Sequence, residues 1–395
     1  MDTLGIYISV PFCRSKCTYC NFASGVFPSS YMPQYVDRLC EDLEAAVGRF
    51  SGMPRSADTI YLGGGTPSLL PSDLLRKLFG AIREHFQVVP DAEITVECAP
   101  GQVSDESLAA MLDSGVNRIS FGVQSFIDQE AKATGRLHTR AVALEDIRRV
   151  RQAGVRRVNA DLIAGLPHQT EASWRESLGV LVDSGVDHAS IYMLEVDDDS
   201  RLGREVLGGG ARYYAPAIPS DDAIADMYAA AIHLLADNGL KQYEISNFAC
   251  AGAESLHNMK YWLRKPYLGL GVDAHSMLRG AGGQVVRFAT TDDLQRYLSA
   301  PGWAGVNMLT QQEELEEAWF LGLRLNAGVS LRQIKGEFGG EAVEPYSPIV
   351  EELVSDGLLA KSADRISLTL RGRMLSNEVF ARFIDVTETP DLIPV

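Results

Sequence analysis

Strands and helices alternate six times in the first half of the chain, and this alternation restricts the possible folds more than any other feature. The six apolar strand segments are Leu4–Val10, Asp58–Leu62, Glu93–Glu97, Arg118–Gly122, Arg157–Ile163 and His188–Leu194. Three of the helical patterns between them end in a Gly-Val pair, at Gly115-Val116, Gly154-Val155 and Gly185-Val186. Such a glycine takes the left-handed position after a helix, and the valine begins the next strand. Since this alternation favours parallel pairing with right-handed crossovers, the sequence predicts an α/β fold, a curved or partial (βα)6 barrel.

Three cysteines follow the first strand closely. Cys13, Cys17 and Cys20 are spaced by four and then three positions, and Pro11 prevents the strand from continuing into them. In a loop, three thiolates can hold three irons of a cubane iron–sulfur cluster and leave the fourth iron open. Structural zinc usually takes four ligands, and the chain has no second Cys-x-x-Cys pair. A disulfide is disfavoured because the loop holds an odd number of cysteines, and a loop that is merely rich in cysteine is the remaining alternative.

Groups capable of binding a ligand follow the next four strands. They are Gly64, Gly65 and Thr66 after the second strand, Glu97 after the third, Gln124 after the fourth and Asp161 in the fifth. In parallel α/β barrels the functional site lies at the carboxyl ends of the strands. The sequence therefore predicts that these residues and the three cysteines meet at one mouth.

Taken singly, each of these features has an ordinary structural explanation. Three glycines often form a tight turn, although they also allow close backbone approach and can present N–H groups to a charged ligand. Glu97 alone would suggest a surface or capping carboxylate. Asp161 alone would suggest a buried carboxylate paired with an arginine. Their shared position after consecutive strands is what favours a site.

Composition narrows the classes of function. The chain has 395 residues and a formal net charge of −16, with a sequence pI of about 4.9, which argues against a general nucleic-acid partner. The first residues lack the basic and apolar regions of a signal peptide, and no apolar run is long enough to span a membrane. Six cysteines without a secretion signal suit a reducing compartment, so we expect a cytoplasmic protein without an integral membrane segment.

The second half of the chain departs from the strand–helix alternation. We expect a barrel over residues 1–240, an extension over 241–305, and a small C-terminal, mainly helical, winged-helix-like domain over 306–395. The C-terminal helices are followed by a predicted hairpin at Ala363-Asp364. Few Arg or Lys residues lie there, so packing or partner docking is favoured over DNA binding.

The extension carries the motif His257-Asn258-Met259-Lys260-Tyr261-Trp262. A histidine beside aromatic side chains could be an axial ligand of a haem iron. A single loop histidine is more often a hydrogen-bonded structural group, and the residues themselves do not decide between the two.

Several motifs together resemble a known family. The spacing Cys-x-x-x-Cys-x-x-Cys with Tyr19 before the last cysteine is similar to the cluster loop of radical S-adenosylmethionine (SAM) enzymes. Gly63-Gly64-Gly65-Thr66-Pro67, the run from Phe121 to Phe126, and Asp161-Leu162-Ile163-x-Gly165-Leu166-Pro167 resemble the oxygen-independent coproporphyrinogen III oxidase group. The resemblance covers nearly the whole chain and implies a radical SAM barrel.

This resemblance implies cofactors and site residues. It makes Cys13, Cys17 and Cys20 the ligands of a [4Fe-4S] cluster, whose open iron would be chelated by SAM. The residues implied for the SAM pocket are Tyr7, Gly64, Gly65, Thr66, Glu97, Gln124, Arg136 and Asp161. The bound cofactors would carry the chemistry, and the protein would supply position and shielding.

Two departures favour the haem chaperone branch (HemW-type) of this group over the oxidases. The oxidases resembled here have a further cysteine two residues after the third ligand, where this chain has Phe22, and they have an extension before the cluster loop. The motif at His257 resembles that of the haem chaperones, which implies haem as a further ligand, His257 as its contact, and apo-haem proteins as partners.

We therefore expect a haem chaperone, without coproporphyrinogen oxidase activity and either monomeric or a weak homodimer. A transient membrane association is compatible with this function. The alternatives are an oxygen-independent coproporphyrinogen III oxidase, which would decarboxylate propionates by radical chemistry, another radical enzyme acting on a tetrapyrrole, or a zinc-binding or structural protein that has lost the chemistry.

Overall fold

Six parallel strands form the centre of a twelve-stranded sheet. The structure is a computed structural model and describes residues 3–50, 52–280, 282–300 and 302–384. The central strands β1 to β6 are Leu4–Val10, Ser56–Gly64, Gln87–Cys98, Arg118–Gln124, Arg157–Ala164 and His188–Met193. Each pairs in parallel with the next along the chain. Strand β1 has an apolar sequence because it is largely buried on both faces, as is typical of strands in parallel sheets.

Further strands extend this sheet at both ends, so it does not close into a complete barrel. Strands β7 to β12 are Lys241–Gln242, Asn247–Ala249, Tyr267–Leu270, His275–Arg279, Val285–Ala289 and Ala304–Met308. β9 pairs in parallel with β1, and β8 pairs antiparallel with β6. The full order is β12-β11-β10-β9-β1-β2-β3-β4-β5-β6-β8-β7. The predicted partial barrel is confirmed as an open one, and strands of the 241–305 segment belong to the same sheet.

Helices α1 to α10 accompany this sheet. They are Tyr31–Arg49, Ser72–His85, Asp105–Asp113, Asp128–Ala133, Arg140–Gln152, Glu171–Asp183, Arg201–Leu207, Asp221–Asp237, Leu256–Trp262 and Leu294–Ser299. Ser104, Thr139 and Thr170 accept a backbone hydrogen bond at the start of α3, α5 and α6, respectively. Gly115, Gly154 and Gly185 follow these helices with φ of 84°, 96° and 71°, which confirms the predicted left-handed glycines.

Helix α7 lies where the sequence predicted an irregular loop. Asp197-Asp198-Asp199 and Gly208-Gly209-Gly210 surround it and suggested turns. Ser200 caps the helix by accepting a hydrogen bond from the N–H of Gly203 at 2.9 Å. A Cβ atom at Gly203 would lie 1.8 Å from the carbonyl oxygen of Asp197. The glycine therefore permits a close backbone approach within the helix and does not break it.

The C-terminal part has a core of its own. Helices α11 to α16 are Gln311–Leu323, Leu331–Phe338, Gly340–Val343, Ser347–Ser355, Leu370–Met374 and Ser376–Ala381. Strands β13 to β15, at Val329–Ser330, Leu359–Ser362 and Arg365–Leu368, form a small antiparallel sheet. The hairpin of β14 and β15 turns at Ala363-Asp364 as predicted. These elements match the expected mainly helical, winged-helix-like module, whose core includes Trp319, Tyr346 and Phe383 and also Ile245 from the preceding segment.

Candidate functional site

One cavity lies at the carboxyl ends of the central strands. It has a volume of about 460 Å³ and is lined by most of the residues that the sequence singled out. The predicted residues that line it are Cys13, Cys17, Cys20, Gly64, Gly65, Thr66, Glu97, Gln124, Arg136 and Asp161. Because parallel strands end at the same edge of the sheet, separate loops deliver these groups to one mouth.

The three cysteines lie in one wall of this cavity as free thiols. An Arg136 guanidinium nitrogen lies 3.4 Å from the sulfur of Cys17, and the Thr66 hydroxyl oxygen lies 3.9 Å from that of Cys13. The sulfur of Cys20 is 3.8 Å from the hydroxyl oxygen of Ser24. These donors would stabilise thiolates, the form of cysteine that binds metal.

The arrangement of the cysteines distinguishes between the metals considered above. Among the described residues, no three His, Cys, Asp or Glu side chains are close enough together to hold a single metal ion. A structural zinc needs its sulfur ligands at about 2.3 Å from one centre. Structural zinc usually takes four ligands, whereas this loop offers three thiols, which suits a four-iron cluster with one open iron.

The glycine loop after β2 packs directly on the start of the cysteine loop. The N–H of Gly65 donates to the carbonyl of Val10 at 2.8 Å, and the N–H of Thr66 donates to that of Phe12 at 2.8 Å. A Cβ at Gly65 would lie 2.7 Å from the Val10 oxygen, so only glycine fits. The N–H of Gly65 is therefore used within the protein and is not open to a charged ligand, which narrows the expectation for the three glycines. The glycine instead brings the two loops together.

Two carboxylates, Glu97 and Asp161, lie deeper in the cavity. The Tyr61 hydroxyl donates to Glu97 Oε1 at 2.8 Å. Burial, and then the charge of Asp161, raise the pKa of Glu97 to about 7. Asp161 accepts a hydrogen bond from the Asn159 amide at 2.6 Å, and burial is the main reason that its pKa is also raised. Two such groups suit ligand hydroxyl or ammonium groups, because hydrogen bonding to either would offset their desolvation.

Other polar atoms at the site lack protein partners. Gln124 has a φ of 69°, which is uncommon for a residue other than glycine and is associated with functional sites. Its side-chain oxygen is buried without a hydrogen bond, as are Arg136 Nε and the side-chain oxygen of Gln102. Since buried polar atoms normally have a partner, these atoms indicate a polar ligand such as SAM.

Tyr7 and His257 lie apart from this group. Tyr7 lines a neighbouring cavity of about 260 Å³, together with Tyr261, Tyr267 and His275. Phe22, Ser24 and Gly64 line both cavities. Tyr7 is not among the residues that line the larger cavity, and its predicted contact with SAM stays a prediction.

His257 is fully buried at the start of α9. Its Nδ1 lies 2.9 Å from the Thr59 hydroxyl, and its Nε2 lies 2.8 Å from the Tyr261 hydroxyl. Burial, followed by the charge of Lys260, lowers its pKa to about 3. Neither nitrogen is available to an iron in this arrangement, so the geometry favours the structural interpretation. The predicted haem contact of His257 stays a prediction that the structure does not support.

Sequence reasoning missed several residues that line or support the cavity. Tyr192, at the end of β6, could have been found by the same strand-end argument. Arg324 comes from the C-terminal part and had no local signal. Helix α7 supports the cysteine loop, because Arg201 donates to the carbonyl of Lys16 and the N–H of Leu202 donates to that of Thr18. Only the folded chain brings these last residues together.

Comparisons with known proteins agree with this architecture. The Radical SAM superfamily profile matches residues 7–181, and the HemN C-terminal domain profile matches residues 309–375. The solved structure of coproporphyrinogen III oxidase (HemN) from Escherichia coli superimposes with a TM-score of 0.83 at 22% identity. It covers 97% of this chain and 90% of that one, and at this identity the likeness shows the fold.

Full-length relatives identify the branch. Heme chaperone HemW of Lactococcus lactis subsp. lactis (strain IL1403) is 34% identical over 381 residues, 96% of each chain. Heme chaperone HemW of Bacillus subtilis (strain 168) is 32% identical over 384 residues, which are 96% of this chain and 98% of that one. With the cysteine loop and the open barrel already established, this similarity shows that the chain belongs to the HemW family of haem chaperones within the radical SAM superfamily.

Proposed function

We propose that this protein binds haem and transfers it to apo-haem proteins. The observation that carries the proposal is the apolar rim of the cavity beside the cysteine loop. Phe22, Leu137 and Tyr192 line the cavity, yet their side chains are 61%, 64% and 43% exposed. Large exposed apolar side chains around a cleft suggest a ligand with an apolar surface, and a porphyrin ring presents two such faces. The full-length similarity to proteins named heme chaperones supports the same function.

The cysteine loop would hold a [4Fe-4S] cluster through Cys13, Cys17 and Cys20. When bound, a cluster with an open iron site can supply one electron to SAM. Thr66 and Arg136 would stabilise the thiolates, and Glu97 and Asp161 would accept hydrogen bonds from SAM. Gln124 would provide a further polar contact through its unpartnered side-chain oxygen.

The location and assembly of the protein are a further part of this proposal. None of the described helices is both long and apolar enough to cross a bilayer. We propose that the protein works in the cytoplasm, as a monomer or a weak homodimer. Transient contact with membranes would occur where a recipient haem protein is a membrane protein.

The alternative function is that of an oxygen-independent coproporphyrinogen III oxidase. The shared fold with the Escherichia coli oxidase favours it. Phe22 opposes it, because this side chain lies beside the cluster loop where the resembled oxidases have a further cysteine, and it lines both cavities.

The deciding experiment begins with anaerobic reconstitution and measurement of bound iron and sulfide. The loaded protein is then titrated with haem and mixed with an apo-haem protein. In parallel it is incubated with SAM, a reductant and coproporphyrinogen III. We expect saturable haem binding, haem transfer and no protoporphyrinogen. Product over many turnovers would establish the oxidase instead, and a cluster-loaded protein that binds no haem would refute the chaperone function.

A further inference from the structure

We propose that Arg324 is a carboxylate-binding residue of the cavity and that Trp262 holds its guanidinium in place. This inference rests on the proposed function and deepens it. It assigns the recognition of a ligand carboxylate to a residue of the C-terminal part, and it gives the tryptophan of the motif at residues 257–262 a task other than contact with iron.

Arg324 reaches the cavity from the end of α11. It lines the cavity together with Ser246 and Tyr192. Its guanidinium carbon lies 4.2 Å from the centre of the Trp262 ring. Among the described residues, no hydrogen bond or ion pair joins its guanidinium to an acceptor, and its Nε is buried without a partner. Such an arginine retains its pairing capacity for a ligand.

The contact with Trp262 orients the guanidinium of Arg324. A guanidinium over an indole ring is held by its face, while its N–H donors point outward in one plane. That plane matches the two oxygens of a carboxylate, which arginine binds through parallel hydrogen bonds. Trp262 comes at the end of α9, and Glu93 holds the start of this helix by accepting the N–H of His257 at 3.0 Å. The motif thus forms a rigid support for Arg324.

The other cationic side chains that line the cavity either already have hydrogen-bond acceptors or are exposed to solvent. Lys16 donates to the carbonyls of Phe22 and Ser24, at 2.7 and 2.9 Å. Arg136 donates to the sulfur of Cys17 and to the carbonyl of Gly122. Arg14 is exposed in the cysteine loop, where water and salt screen its charge. Arg324 is therefore the partly buried cation most available to a ligand.

The nearby carboxylate of Glu244 forms no ion pair with Arg324. The charge of Arg324 acts on Glu244, which is fully buried and bonded to the amide of Asn247. One carboxylate oxygen of Glu244 lacks a partner, but no ion pair joins it to Arg324 within the described residues. A ligand carboxylate that enters from the cavity would give the guanidinium a partner of opposite charge.

Two sources of a carboxylate are compatible with this site, namely a propionate of a tetrapyrrole and the carboxylate of SAM. The position of Arg324 favours the propionate. Arg324 lines the cavity with Ser246 and with Tyr192, which is one of the exposed apolar side chains of the cavity rim. A tetrapyrrole that packs on this apolar rim can place a propionate beside Arg324.

The test uses the full-length, cluster-loaded protein and the variant Arg324→Gln. Both are titrated with haem, with haem dimethyl ester, in which the propionates are blocked, and with SAM. We expect the variant to bind haem about tenfold more weakly, to bind the ester as the wild type does, and to keep its SAM affinity. Arg332→Gln removes an exposed arginine of α12 and should change none of the three affinities.

The haem and SAM titrations of the Arg324 variant distinguish between the possible roles of this residue. A loss of SAM affinity with unchanged haem affinity would keep the carboxylate site and assign it to SAM. Unchanged affinities for both ligands would overturn the inference. If the wild type binds no haem, the proposed function fails, and the SAM titration alone then decides the role of Arg324. Trp262→Leu offers a second variant, for which we expect about threefold weaker haem binding because the guanidinium loses its support.

Discussion

At the scale of single residues, the cysteine loop carries the firmest expectation. Cys17→Ala should abolish the cluster. The sulfur of Cys17 would bind one of the three irons that cysteines hold, and it also accepts a hydrogen bond from Arg136. Bound iron, sulfide and visible absorption after anaerobic reconstitution measure the effect. Cys40→Ala is the matched control, since Cys40 is a free, partly exposed cysteine on α1. A full cluster in the Cys17 variant would refute the ligand assignment.

Glu97 should make stability depend on pH. Its pKa is raised in the folded protein to about 7, from an ordinary value of 4.5, so the folded state holds a proton that the unfolded state releases. The resulting stabilisation is fully present below the unfolded pKa and is lost as the pH rises through about 7.

Comparison with a neutral side chain isolates this effect. Relative to Glu97→Gln, the cluster-free wild type should lose roughly 1–2 kcal/mol of unfolding free energy between about pH 5 and pH 8. This free-energy range is smaller than the full pKa shift of Glu97 would give, because Glu97 faces an open cavity. Urea unfolding at several pH values measures it. The exposed Glu145→Gln should show no such change, and equal pH dependence of the wild type and the Glu97 variant would contradict the prediction.

His257→Ala should separate the structural role of this histidine from the haem contact predicted for it. The substitution leaves the hydroxyls of Thr59 and Tyr261 without their buried partner and opens a cavity, which should cost roughly 2–4 kcal/mol. Urea unfolding measures the cost, and the exposed His233→Ala should have none. Unchanged haem affinity in the folded variant would exclude His257 as a haem contact, whereas weaker binding with an intact cluster would support it.

At the scale of elements, helix α9 depends on a carboxylate from β3. Glu93 accepts the N–H groups of Leu256 and His257 and also bonds the buried Arg118. Glu93→Ala would leave both helix N–H groups unpaired and would leave the buried charge of Arg118 with only the carbonyls of residues 253 and 254 as acceptors. It should lower the unfolding free energy by about 3–5 kcal/mol. The exposed Glu171→Ala is the control, with an expected loss below about 1 kcal/mol. Similar losses in the two variants would show that α9 is held in another way.

Helix α7 shows why element boundaries in this chain need the fold. The local pattern of acidic and glycine residues indicated a loop, because glycine and aspartate disfavour helix interiors. The helix forms because Ser200 caps it and because Leu202 bonds the cysteine loop. The cap is a local signal and the bond of Leu202 is a tertiary contact, and together they outweigh the turn signals on either side of the helix.

At the scale of the whole molecule, the segment at residues 243–245 helps to join the two cores. Ile245 packs in the core of the C-terminal part, and its N–H donates to the carbonyl of Arg324 at 3.1 Å. Glu244 pairs with Leu325, and Asn326 donates to the carbonyl of Tyr243 at 3.0 Å. These links make the position of Arg324 dependent on both parts.

We therefore expect the cores to unfold together. Calorimetry of the cluster-free protein should show one transition, and Ile245→Ala should lower its temperature because the change opens a cavity costing roughly 2–4 kcal/mol. The exposed Val142→Ala should have little effect. Two well-separated transitions in the wild type would contradict the expected coupling.

The sequence by itself determined the strand–helix order, the cysteine loop and ten of the residues that line the cavity. It could do so because hydrophobic periodicity marks the strands, and parallel strands present their carboxyl ends at one edge. The placement of Arg324, Trp262, α7 and His257 was decided only by the tertiary structure. Each depends on contacts between segments distant along the chain, such as Thr59 with His257 and Trp262 with Arg324, and local periodicity contains no information about such contacts.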